Sequence, residues 1–151
     1  QEELAFAQAL HDTCPAALPG TLSATNRDIR AFVEEKTDGG KRAMNDFIIP
    51  YVPSTMFTPG STDVGDVSWL TPTAQFTTAT WVSGTPGHSW QNVSLGKTGI
   101  AYKGMLQAAK ILAGAAADLM ESPALLEKIR KEFSKNAAEG YDCPIGKEVT
   151  F

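Results

Sequence analysis

Apolar positions at the start of the chain fall into a helical rhythm. Leu4, Phe6, Ala7, Leu10 and His11 share one face, which predicts a helix over 1–14 ended by Pro15, because a proline drives the residue before it out of the helical region. The following PAALPGTLSATN, 15–26, is a loop. Ile29, Phe32 and Val33 return to helical spacing and predict a short helix over 28–35, stopped by Asp38-Gly39-Gly40. Pro50, Pro53 and Pro59 then hold IIPYVPSTMFTPG extended and confine it to edge or isolated pairing. Threonines, aromatics and β-branched residues crowd AQFTTATWV and predict a strand over 74–82. The longest helix is expected over 97–120. Its stripe includes Ile100, Met105, Leu106, Leu112 and Met120, with small residues between them that suit close packing against a sheet. Ser122 caps a last helix with Pro123 at its first position, Gly140 is a plausible stop, and 141–151 are tail. The expected fold class is α/β, helix-rich with few strands, in a single domain over 1–151.

Composition narrows the function classes. The length, 151 residues, suits one domain with a substantial core. A net charge of -4 leaves no basic excess to follow a phosphate backbone, so no nucleic-acid partner is expected. No apolar run approaches the roughly 18 residues a spanning helix needs, and the acidic, amphipathic start is unlike a signal peptide. The expected setting is soluble and cytoplasmic, without membrane contact. Cys14 and Cys143 lie nearly a chain length apart and outside any CxxC pair, which favours reduced thiols. The first residue is Gln1, already in helical rhythm with no cap before it, and this reads as a fragment or processed piece of a longer chain; a trimmed or disordered terminus would look the same.

Two loops can carry chemistry. GTPGHSWQ places His88 just past the predicted strand, on a turn stiffened by Gly84, Pro86 and Gly87. In α/β architecture ligands collect at the carboxyl ends of strands, and a neutral imidazole is a common metal ligand. Most lone histidines, however, are surface or packed residues, and by spacing alone that is the reading the residues favour. The second loop, STDVGD, offers Thr62, Asp63 and Asp66. Its carboxylates could bind a cation, cap a helix beginning near Val67, or merely solvate the loop, and capping is the simplest of the three. A catalytic zinc site needs about three protein ligands. His11 and His88 are the chain's two histidines, and HxD, HExxH, GxSxG, P-loop and dinucleotide patterns are missing. Glu34-Glu35 belongs to a charged helix face. By its residues the chain has no complete active site.

Five stretches, EELAFAQAL, STDVGDVSWLTPTAQ, GTPGHSWQ, TGIAYKGMLQAAKILA and YDCPIGKEVT, together resemble the C-terminal part of the catalytic domain in the dinuclear-metal amidohydrolase and peptidase family that includes carboxypeptidase G and the aminoacylases. The resemblance covers nearly everything outside 15–58. It implies the C-terminal part of a three-layer α/β/α metallopeptidase-like domain, with the N-terminal segments and an inserted dimerisation domain absent. It also implies hydrolysis of the amide bond of N-acyl or aroyl amino acids, aminobenzoyl-glutamate among them, by a full-length enzyme that is a homodimer or hetero-oligomer. In that enzyme His88 would ligate one of two divalent cations, zinc or manganese. Asp63 would organise hydrogen bonds at the active-site rim beside Thr62, and Asp66 matches a narrower subgroup. The remaining ligands, the bridging carboxylate and the general-base glutamate belong to earlier segments. The isolated chain is therefore expected to be inactive, to bind no metal and to self-associate through uncovered helix faces. A stand-alone, non-catalytic binding domain is the alternative; a third is completion of the site by another chain.

Overall fold

In a computed structural model of the protein, residues 1–14, 27–51, 62–143 and 145 are described. Among them are six helices: α1 Glu2–His11, α2 Arg27–Lys36, α3 Val64–Leu70, α4 Trp90–Leu95, α5 Gly99–Glu121 and α6 Pro123–Asn136. The four helices expected from periodicity are present. The expected loop over 15–26 and most of the proline-punctuated segment lie outside the described residues.

The chain divides into two units. The first takes Gln1–Pro59 and Thr77–Ala109, hence α1, α2, α4 and the beginning of α5. Its core gathers Ala7 and Leu10 of α1, Ala43, Val82, Leu95 of α4 and Ile100 of α5, with Met44 packed against them. Helix α2 buries Val33, while the Thr37 hydroxyl donates back to the Val33 carbonyl at 2.7 Å and ends the helix before the left-handed Asp38 and Gly39. Phe32 meets Phe47 edge to face, with ring centres 5.8 Å apart. Thr98 caps α5 by accepting from the Ala101 amide at 3.3 Å. The Glu3 carboxylate closes on the same helix end, pairing with Lys103 at 2.5 Å in space that a side chain on Gly99 would occupy.

The second unit takes Gly60–Phe76 and Lys110–Phe151, and so holds α3, the rest of α5 and α6. Ser122 caps α6 as its sequence predicts, accepting from the Leu125 amide with Pro123 at the first position. A groove of about 900 Å³ runs between α3 with the segment after it and the facing side of α6, with Trp69, Pro72, Ile129 and Phe133 among its walls.

The strand expected over 74–82 does not form, and no strand occurs among the described residues. A strand exists only where another pairs with it, and propensity alone cannot supply the partner. In the first unit the segment from Thr77 onward instead lies against α5. Thr78 donates from its hydroxyl to the Gly104 carbonyl at 3.2 Å, and the Ala79 carbonyl comes so close to Gly104 that a Cβ there would collide with it. The sheet expected beneath α5 is likewise missing from the described residues. Ile100 and Gly104 are buried, whereas Met105, Leu106, Leu112 and Met120 stand exposed. The described structure is therefore helix-rich without the layered sheet. No helix among the described residues is long and apolar enough to cross a membrane.

Candidate functional site

His88 lies on a loop made of two successive turns. In the first, the Thr85 amide donates to the Val82 carbonyl at 3.2 Å and Gly84 takes φ +77°, the left-handed conformation that an i+2 glycine supplies without steric conflict. The Thr85 hydroxyl reinforces this turn by donating to the same carbonyl at 2.7 Å. In the second turn, the left-handed residue is His88 itself at φ 54°, although Gly87 stands beside it. A side chain held in that region is uncommon, and such residues gather at functional sites. The Ser89 hydroxyl closes the turn by donating to the Pro86 carbonyl at 2.7 Å and accepts from the Asn92 amide at 3.2 Å, capping α4. The imidazole is exposed, and among the described residues it has no hydrogen-bond partner.

What fixes the loop comes from α1 and from Ala43, far away in sequence. Ser83, nearly buried, donates from its amide to the Ala43 carbonyl at 2.8 Å. Its carbonyl meets His11 Nδ1 at 2.8 Å. Beyond His88, the side-chain amide of Gln91 donates to the Thr13 carbonyl at 3.3 Å. Cys14 lies beside Gly84, and burial pushes its thiol pKa up, partly opposed by a hydrogen bond with Thr85. His11 was singled out by no motif. Its position at the end of α1 gives no sign of a partner 72 positions away.

The STDVGD loop opens α3 three residues earlier than the capping alternative placed a helix. Asp63 occupies the N-cap position but makes no side-chain cap bond; Thr62 supplies one instead, its hydroxyl accepting from the Val64 amide at 3.3 Å. Asp66, in the first turn, accepts from the Tyr141 phenol at 2.8 Å. That hydrogen bond, then one with Cys143, burial and the nearby negative charge raise the Tyr141 pKa. Thr62, Asp63 and Asp66 are exposed. They belong to the second unit and His88 to the first.

A divalent cation such as zinc takes about four donors from imidazole, thiolate and carboxylate. Among the described residues no three His, Cys, Asp or Glu gather closely enough to hold one. His88 offers a single donor, so the donor set of the described residues does not fit a complete metal centre.

The chain is similar in sequence to one component of a hydrolase. The relative is a subunit of p-aminobenzoyl-glutamate hydrolase from Escherichia coli (strain K12), to which the chain is 43% identical over 104 residues. The match covers 68% of this chain and 22% of the relative, so the chain spans about a fifth of that protein's length. The resemblance read from the motifs is thus upheld as a similarity to a hydrolase component. No family model and no solved structure matches the chain.

Proposed function

We propose that this chain is part of a metal-dependent amidohydrolase that cleaves N-acyl or aroyl amino acids of the p-aminobenzoyl-glutamate type. The observation that carries the reading is the left-handed His88 on a doubly turned, doubly anchored loop, joined to 43% identity with a protein named for that hydrolysis. A strained backbone at an exposed imidazole has no packing role to explain it, and presenting a ligand or substrate-binding group does explain it.

On this reading His88 is one ligand of a zinc or manganese pair whose other ligands lie outside this chain, and the 74–82 segment becomes an edge strand when it pairs with strands of a three-layer α/β/α domain. Thr62, Asp63 and Asp66 form the rim loop. The relative's name makes it one component of a larger hydrolase, which supports a multi-subunit assembly as the proposed state, and we place that assembly in the cytoplasm. The chain alone is inactive, and without its partners the exposed apolar face of α5 draws copies together.

The test is to incubate the full-length protein with p-aminobenzoyl-glutamate, remove divalent cations with a chelator, and restore zinc or manganese. Release of glutamate that disappears on chelation and returns with metal supports the reading. Release unaffected by chelation, or no release at any metal concentration, rejects it.

A further inference from the structure

We infer that His11 is a positioning residue for the His88 loop, acting through the Ser83 carbonyl. The inference rests on the functional reading for its catalytic consequence but on geometry alone for the positioning itself.

A carbonyl oxygen only accepts, so the 2.8 Å contact requires the proton to sit on His11 Nδ1 and fixes the neutral ring as the tautomer with Nε2 unprotonated. This bond pins the Ser83 carbonyl, while the Ala43 carbonyl pins the Ser83 amide on the other side. The peptide groups flanking Ser83 therefore have no freedom to rotate without breaking a bond. Gly84 follows immediately in its left-handed conformation, with the His11 ring and Cys14 lying alongside. The turn that follows α1 then reaches the far side of the loop, where the Thr13 carbonyl accepts from the Gln91 side chain. One helix end thus holds both stems of a loop whose apex is His88. Holding the stems is what allows the apex to keep an unfavourable φ, because a loop free at either end would relax it.

The bonds within the loop's own turns do not involve His11. What His11 adds is the placement of that loop on α1. Removing a single neutral hydrogen bond changes an opening equilibrium by about five-fold. Asparagine can offer its side-chain amide nitrogen at the place of Nδ1, since each is bonded to Cγ; glutamine's amide lies one bond farther, at the place of Nε2.

The experiment uses the full-length protein carrying His11→Ala, His11→Asn, His11→Gln and His88→Ala. Backbone amide exchange is followed by mass spectrometry over 83–95, and glutamate release from p-aminobenzoyl-glutamate is measured in parallel. The expected result is about five-fold faster exchange over the loop in H11A and H11Q, with near-native exchange in H11N. In the same variants kcat falls with KM little changed, and H11N recovers it. Native exchange over 83–95 in H11A overturns the inference, as does rescue by H11Q as good as by H11N. Should H11A fail to fold, the contrast between H11N and H11Q still decides. If the protein releases no glutamate, or H88A releases it at the native rate, the functional reading fails while the exchange data judge the positioning by themselves.

Discussion

Tyr141 donates its phenol hydrogen to the Asp66 carboxylate at 2.8 Å, joining the tail to the first turn of α3 across 75 positions. The bond stabilises the neutral phenol, and the Tyr141 pKa is raised accordingly. A group whose folded-state pKa lies above its unfolded value, about 10 for tyrosine, contributes stability that is fully present below that pH and is lost as pH climbs through the folded value. The contact therefore persists at neutral pH and weakens only in strongly alkaline solution. Subtracting the ultraviolet titration of Tyr141→Phe from that of the native protein should isolate a phenol ionising above the ordinary range. Asp66→Asn should bring its midpoint down; an unchanged midpoint would show that the carboxylate does not hold the phenol.

The two glycines of GTPGH should behave differently. At φ +77° a side chain on Gly84 is strained by about 1–2 kcal/mol, whereas Gly87 has open space and no positive φ. Urea denaturation should show Gly84→Ala destabilised by about that amount and Gly87→Ala close to native. Equal losses at both positions would mean that the first turn is not as described.

Helix α5 offers a second contrast. A Cβ at Gly104 would strike the Ala79 carbonyl and Thr80, while one at Gly114 meets nothing. Gly104→Ala should cost about 1–3 kcal/mol through forced backbone movement. Gly114→Ala should stabilise by about 0.5–1 kcal/mol, the usual advantage of alanine over glycine inside a helix. Thermal or urea unfolding of the pair checks both signs.

The sequence was informative where elements are long and self-contained. Helices α1, α2, α5 and α6 follow from apolar spacing, and the Ser122-Pro123 start of α6 appears as written. Of the two short helices, α4 escaped it, and α3 was offered only as a capped helix beginning near Val67, three residues late. Helix α4 spans 6 residues and α3 spans 7, too few for a stripe to repeat, and each is defined by a cap, Ser89 for α4 and Thr62 for α3. A Ser89 hydroxyl three residues before the Asn92 amide was a readable signal for α4. The strand over 74–82 failed for the opposite reason: its residues favour extension, but pairing depends on segments that propensity cannot see. At the candidate site, GTPGHSWQ marked His88 and its turn. The anchoring by His11, Ala43 and Thr13 was invisible because those contacts join positions with no shared pattern.

His88 itself should show a trade between stability and function. Glycine occupies φ near +54° without the steric conflict a side chain meets, so His88→Gly should be about 0.5–1 kcal/mol more stable once glycine's greater unfolded-state freedom is offset. The same substitution removes the imidazole and should abolish amide hydrolysis by the full-length protein. A less stable His88→Gly would mean that the histidine side chain contributes to packing, which its exposure argues against.

The most direct test of the central claim is the bound metal and the hydrolytic rate of full-length His88→Ala against the native protein. Loss of about one metal equivalent together with loss of glutamate release from p-aminobenzoyl-glutamate is the predicted result, since a site of about four donors is weakened sharply when one imidazole is withdrawn. Native metal content and native hydrolysis in His88→Ala would contradict it.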